Sequence, residues 1–234
     1  MTTPHPEKRH LASRTAGEVA AGAPLVLLVP VGSCEQHGPH LPLDTDTRIA
    51  VAVAERVAAR RAGVVVAPAV SYGSSGEHQG FAGTLSIGTA ALRTVLVELG
   101  RSAFPDPEPH AFASLVFVNG HGGNHEALGD AVDVLVGEGR PVSAWWPSIA
   151  GGDAHAGRTE TSLLLALDAD AVGPERPVGA TEPLGALLGS LRSGGVAAVA
   201  SNGVLGDATG ASAEEGDALL AALIEDLAAR LPGT

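Results

Sequence analysis

The sequence predicts an α/β fold in which a largely parallel sheet is sandwiched by helices. Three observations predict it. Apolar runs rich in Val and Leu alternate with stretches of helical spacing. Those runs are continuous, as strands covered on both faces require. The 31 glycines and 16 prolines are spread without a repeating period, which marks tight loops between elements and excludes collagen-like or disordered chains.

Taken in order, "PLVLLVPVG" (residues 24–32) reads as a central buried strand and "TRIAVAVAERVAARRAG" (47–63) as an amphipathic helix stopped by glycine. "VVVAPAV" (64–70) is a second buried strand, followed by the glycine-bearing loop "SYGSSGEHQGFAG" and a helix near residues 89–100. "FASLVFVNG" (112–120) is a third strand and "NHEALGDAVDVLVGEG" (124–139) the helix behind it. "PVSAWWP" reads as a fourth strand, and "ETSLLLALDA" and "AEEGDALLAALIEDLAARL" as later helices. "PDPEP" (105–109) is a surface loop, and with no linker-like segment the 234 residues are expected to form one domain.

Hydrophobic residues make up 45% of the chain but aromatics only 3%, so Ala, Val and Leu must build the core. A formal charge of −12 argues against fold-wide attraction to nucleic acid or to an anionic membrane surface. The single cysteine excludes an intrachain disulfide framework and suits a reducing cytosol. Lys8, Arg9 and Arg14 precede an uncharged run (19–34) that superficially resembles a signal peptide. The run holds Gly22, Pro24, Pro30 and Gly32, leads straight into the charged cluster without a plausible A-x-A cleavage site and is shorter than the ~20 residues of a spanning helix. It reads as a buried strand of a cytoplasmic protein.

Open α/β sheets build their sites beyond the carboxyl ends of the strands, and this is where the coordinating residues gather. Glu35, His37 and Asp46 follow the first predicted strand, Glu77 and His78 the second, His121 and His125 the third, and Asp153, His155 and Glu160 the fourth. Six of the nine histidines (His37, His40, His78, His121, His125, His155) lie in these loops, a concentration that scatter would rarely produce. Glu35 and His37, two apart, point the same way in an extended chain, and Pro39 and Pro42 stiffen the return to Asp46. Carboxylate, imidazole and carboxylate together suit Zn, Mn or Fe. If two divalent ions sit close together, one carboxylate bridges them, and His121 and Glu160 are the natural further suppliers. "VNGHGGNHEA" has neither G-x-G-x-x-G nor a G-K-[ST] ending, so a ligand role for His121 fits better than a phosphate loop. Asn119 and Asn124 are expected to hold that turn, with His125 structural.

"VPVGSCEQHGPHLPLDTD", "YGSSGEHQGFAGTLS", "FVNGHGGNHEA" and "DAHAGRTETS" resemble, in order, the motifs of the creatininase (creatinine amidohydrolase) family, over about residues 29–165. "GDATGAS" (206–212) agrees more weakly. The resemblance implies a three-layer α/β/α sandwich, a dinuclear metal site of Zn, Fe or Mn, and a homo-oligomer. By position Glu35, His37, Asp46 and His121 match metal ligands, with Asp46 bridging, and His155 matches a proposed proton donor. Creatinine-hydrolysing members carry a glutamate where this chain has Gly123. Glu160 is the candidate to complete the second ion. Within the family the opening motif and "YGSSGEHQGFAGTLS" look most like the branch that cleaves a radical-modified peptide precursor of mycofactocin, releasing a Val-Tyr-derived fragment. A deformylase branch acting on a pyrimidine intermediate shares the "HGGN" form.

The expected chemistry is metal-assisted hydrolysis of a C–N amide bond in a modified precursor peptide or a small amide, with His155 or Glu160 handling the leaving nitrogen's proton. Ser74, Ser75, Glu77 and His78 are candidates for substrate contact. Trp145 and Trp146 are candidates for the pocket wall or for core packing. Two rivals are a non-catalytic metal-binding protein and a cysteine hydrolase pairing Cys34 with His37 or His40. The negative charge of adjoining Glu35 opposes a thiolate at Cys34.

Overall fold

The computed structural model describes residues 9–106, 108 and 110–232. Lys8 and the Pro107 and Pro109 of the predicted surface loop lie outside the described residues. Four strands, β1 (Leu25–Val31), β2 (Val64–Val66), β3 (Phe112–Asn119) and β4 (Val142–Trp145), form one sheet in the order β2-β1-β3-β4. Every pairing is parallel, so each connection is a crossover. The principal crossover helices are α2 (Thr45–Arg60), α3 (Gly88–Ala103) and α4 (His125–Gly137). A short α1 (Ala16–Ala20) precedes β1, and α5 (Arg158–Leu167), α6 (Leu184–Gly194) and α7 (Ala213–Arg230) follow β4.

Strand pleating sorts alternate residues to opposite faces. Val26, Leu28, Val64, Val66, Val116 and Val118 pack on α2, α5 and α7 through Val53, Val57, Leu163, Leu164, Leu220 and Ile224. Leu27, Val29, Val31, Val65, Leu115 and Phe117 pack on α3 and α4 through Leu92, Leu96, Leu128 and Leu135. The result is the expected three-layer α/β/α sandwich, its core almost wholly aliphatic.

Three features depart from the sequence reading. The second strand stops at Val66, because Pro68 has no N–H for the ladder; the chain returns only as a single bridge from Val70 to Val31. The start of the uncharged run is helical: Thr15 accepts from the Glu18 N–H and Glu18 from the Thr15 N–H, a capping box that opens α1. Helix α6 was not anticipated; Gly185, Gly189 and Gly194 weaken its intrinsic helical preference. Among the described residues no helix is long and apolar enough to cross a membrane.

Candidate metal centre

From β1 the chain crosses to β2 on one side and afterwards to β3 and β4 on the other, so a crevice opens between the carboxyl ends of β1 and β3. Glu35, Gln36 and His37 leave β1 into that crevice, and His121 leaves β3. Asp46 enters in the first turn of α2, where the helix N-terminus favours a negative charge. His78 arrives on the 3-10 turn Gly76–His78, and His155 and Glu160 on the loop and first turn that begin α5. Asn124 ties the strand ends together: its Nδ2 donates to the Gly32 carbonyl at 2.9 Å and its Oδ1 accepts from the Ser74 N–H at 2.9 Å. Asn119 donates to the His121 carbonyl at 2.7 Å, so both asparagines hold the turn as expected.

Asp46 stands at the centre. Its Oδ1 is 3.1 Å from His37 Nε2 and its Oδ2 is 3.2 Å from His121 Nδ1, while the Ser33 hydroxyl donates to Oδ2 at 2.7 Å. Each oxygen of one carboxylate thus serves a different histidine, the disposition a bridging ligand needs. Three groups of side chains bring their ligand atoms close enough to hold an ion: Glu35 with Asp46 and His121; His37 with His155 and Glu160; and Glu35 with His78 and His155.

Hydrogen bonds to the far side of each ring decide between these groups. His37 Nδ1 donates to the Glu35 carbonyl at 3.1 Å, leaving Nε2 to face Asp46 and, at 3.8 Å, Glu160 Oε2. His121 Nε2 lies 3.2 Å from the Ser74 carbonyl, leaving Nδ1 to face Asp46. His155 Nε2 donates to the Gln36 carbonyl at 2.8 Å, so its Nδ1 lone pair faces the crevice. His78 is different. The Gly38 N–H fixes the Gln36 amide by donating to its oxygen at 2.9 Å, and the amide nitrogen sits 2.9 Å from His78 Nδ1. His78 Nδ1 must therefore accept, and the protonated Nε2 faces Glu35 Oε1 at 3.3 Å. The third grouping is thereby disfavoured, and two remain, Glu35 with Asp46 and His121 and His37 with His155 and Glu160, with Asp46 Oδ1 reaching from the first towards His37 of the second.

Electrostatics fit divalent ions at those two sites. Both oxygens of Glu35 are buried and make no well-aligned hydrogen bond among the described residues, with only His78 Nε2 at 3.3 Å and His121 Nε2 at 3.2 Å beside them, an arrangement that a cation would complete. Burial pushes the Glu35 carboxyl up to about 7, and likewise that of Glu160. Burial alone would lower His37 and His121, yet facing carboxylates outweigh it. Asp46 carries His37 to about 10, and Glu35 with Asp46 carries His121 to about 9. His78 falls to about 3 and His155 well below the usual imidazole range, chiefly through burial. Protons on His37 and His121 thus stand where positive ions would.

The remaining expected residues divide. Ser75 is fully buried with its hydroxyl 3.4 Å from His121 Nε2, and Ser74 bonds to Thr89 at 2.9 Å; both support the site from behind. Glu77 lines the cavity, with Oε1 3.7 Å from His121 Nε2. Only glycine fits at position 123, since a Cβ there would overlap the Ser74 carbonyl, His121 and the Glu77 carboxylate. The two tryptophans do not wall the crevice. Adjacent strand residues face opposite ways, so Trp145 packs in the core on the α7 side, its Nε1 donating to Asp226 at 2.7 Å. Trp146 lies on the other face against His125, ring centroids 4.5 Å apart. Cys34 has no histidine to activate it. His37 is committed as above, His40 Nε2 lies 2.8 Å from the Thr161 hydroxyl, and the thiol itself donates to the Gly83 carbonyl. Sequence reasoning missed Gln36, whose buried amide contacts Gly38, His78, His155 and Gly203; its place between Glu35 and His37 was the available signal.

The family model described as Creatininase: Creatinine amidohydrolase matches residues 10–231. The chain is 53% identical over 228 residues to the mycofactocin precursor peptide peptidase of Mycolicibacterium smegmatis, covering 94% of this chain and 90% of that protein. It is 34% identical over 193 residues to the creatinine amidohydrolase of Pseudomonas putida, covering 68% and 70%. Among solved structures, one named Creatininase Mn has a TM-score of 0.77 at 28% identity, covering 94% of this chain and 96% of that one. A Zn-Zn type mutant creatininase has a TM-score of 0.72 at 29% identity, covering 94% and 95%. The parallel sheet and these likenesses, with the clustered carboxylates and histidines at the strand ends, place the chain in the creatininase family.

Proposed function

We propose that this chain is a metal-dependent peptidase, a single catalytic domain that hydrolyses a C–N amide bond in a modified mycofactocin precursor peptide and releases its Val-Tyr-derived C-terminal fragment. The observation that carries the reading is the 53% identity to a mycofactocin precursor peptide peptidase across nearly the whole of both chains. Two donor groups, with Asp46 in one and 3.1 Å from His37 of the other, support it chemically. The residues fit two divalent ions of Zn, Fe or Mn: Glu35, Asp46 and His121 would hold one, and His37, Asp46 and Glu160 the other. When bound, such ions lower the pKa of water and polarise a carbonyl oxygen.

The chain's own residues do the rest. Asp46, held by Ser33, fixes the spacing of the two donor sets. His155 presents its Nδ1 lone pair to the crevice, takes a proton there from the attacking water and passes it to the leaving nitrogen, its ring held by the Gln36 carbonyl. Glu160 is oriented by the Ala156 N–H, which donates at 2.6 Å to Oε2, the oxygen that faces His37 Nε2 at 3.8 Å. Glu77 reaches the same cavity as a contact for the substrate. The enzyme is proposed to act in the cytoplasm as a homo-oligomer, which sedimentation would test.

Incubation of metal-loaded protein with radical-modified precursor peptide, followed by mass analysis, should detect the C-terminal fragment. Chelation should abolish release, and Zn, Mn or Fe should restore it. Full activity without metal, or metal binding with no turnover of any amide, would refute the proposal, the latter in favour of a non-catalytic metal protein. Creatinine and formylated pyrimidines, run in parallel, test the small-amide alternatives.

A further inference from the structure

The cavity that reaches the donor cluster has one wall of a different character. It encloses about 620 Å³ and is lined on one side by Asp46, His121, His155 and Glu160. The opposite side is α6, which contributes Leu184, Leu188 and Leu191, spaced four and three residues apart and hence on one helical face. Leu191 also packs with the small cluster of Val196, Ala200 and Leu205, which seats the helix beside the Gly76–His78 turn. Leu184 and Leu188 are 47% and 41% exposed, so the described residues leave both only partly covered. Arg192, one turn beyond Leu188, is the single Lys or Arg lining the cavity and has no ion-pair partner among the described residues.

We infer that α6 is the specificity wall of this site. Leu184 and Leu188 receive a bulky apolar group next to the scissile amide, and Arg192 receives an anionic group, a carboxylate of the bound peptide, at the rim. The occupant follows from continuity: leucines and metal donors line one cavity, so an amide placed at Glu160 and His155 lays its neighbouring substituent on α6. The cation answers a need that the rest of the lining creates. Glu77 at the same cavity repels an acidic substrate, and the chain as a whole carries a charge of −12. Trp145 and Trp146, candidates for the pocket wall or for core packing, pack against the core, and this helix supplies the wall. The inference rests on the peptidase reading and adds to it which element selects the substrate.

The test uses zinc-loaded full-length protein and modified precursor peptide, with kcat, KM, metal content and sedimentation measured together. The double variant Leu184→Ser/Leu188→Ser removes apolar area at exposed positions, so the fold is retained. Its KM should rise about tenfold or more, with kcat within about twofold and metal content unchanged. Leu188→Met should keep the wild-type KM. Arg192→Gln should raise KM and remove its dependence on salt, and Arg192→Lys should retain most of that dependence. Unchanged KM in both the serine pair and Arg192→Gln, with the wild type active, would overturn the inference and leave the peptidase reading standing. A shift in sedimentation with unchanged KM would also overturn it, because α6 would then be a contact between copies of the chain. No cleavage by metal-replete wild type would overturn both readings together.

Discussion

Glu35 lies in a position that makes sense only with a cation beside it. Replacing it with glutamine removes a buried charge at constant shape. Glu35→Gln should therefore stabilise the chelated protein at pH 7 by about 1 kcal/mol or more, while abolishing the rise in melting temperature that zinc produces. The sign follows from its carboxyl, which burial pushes from 4.5 up to about 7 in the fold. Between those values the folded protein holds a proton that the unfolded chain has released, so stability from this group falls as pH rises. The advantage of glutamine should accordingly shrink as pH is lowered from 7 to 4.5, read by thermal melts of chelated protein. Ala156 is a second pressure point, the one non-glycine residue with positive φ (53°) among those described, and its N–H orients Glu160. Ala156→Val should cost about 1–3 kcal/mol in urea unfolding and reduce bound metal, since a β-branched side chain resists that conformation. At this scale much was legible: Glu35, His37, Asp46, His121 and Glu160 converge as their spacing suggested. What was not legible is which ring nitrogen each histidine presents, because that depends on carbonyls of Ser74, Glu35 and Gln36 that only the fold brings near.

Helix α5 carries Glu160, and its position depends on α7. Gly216 of α7 lies against the Ser162 carbonyl so closely that any Cβ would overlap it. Ser162 and Arg158 both bond to Glu215, at 2.9 and 2.7 Å, which fixes the pair in rotation as well as distance. Gly216→Val should lower stability by about 1–3 kcal/mol and weaken metal retention more than an equally destabilising change in α3. Urea titration paired with elemental analysis would show it; equal metal loss from both would remove α7 from the account of the site. Long elements with strong periodicity, such as α2 and α7, were readable because their buried faces repeat every three to four residues. The element that walls the cavity was not. Helix α6 carries three glycines, and only its contact with Val196, Ala200 and Leu205 makes it a helix in place. Pro68 offered a cue for the early end of β2 that a purely apolar reading passes over.

Across the whole molecule, the proposed donors arrive from segments after β1, β3 and β4, so the ion sites would be assembled only by the finished sheet. An ion that binds the folded state alone stabilises it by about 2.7 kcal/mol at a hundredfold excess over its dissociation constant. Calorimetric melts at rising zinc should climb accordingly, and a flat response would separate metal binding from the folded core. Parallel pairing leaves every contact between neighbouring strands to be made across a crossover, which makes the intact sheet slow to reach. That order of events gives Asp46 a consequence beyond chemistry. Held between histidines from the ends of β1 and β3, it makes a loaded centre a knot tied last, joining the two central strands and α2 at the point where they diverge. A nick anywhere between Arg48 and Asn119 would leave the strands covalently parted yet still laced through the ions, so loaded protein should outlast chelated protein under limited proteolysis even after its first cut.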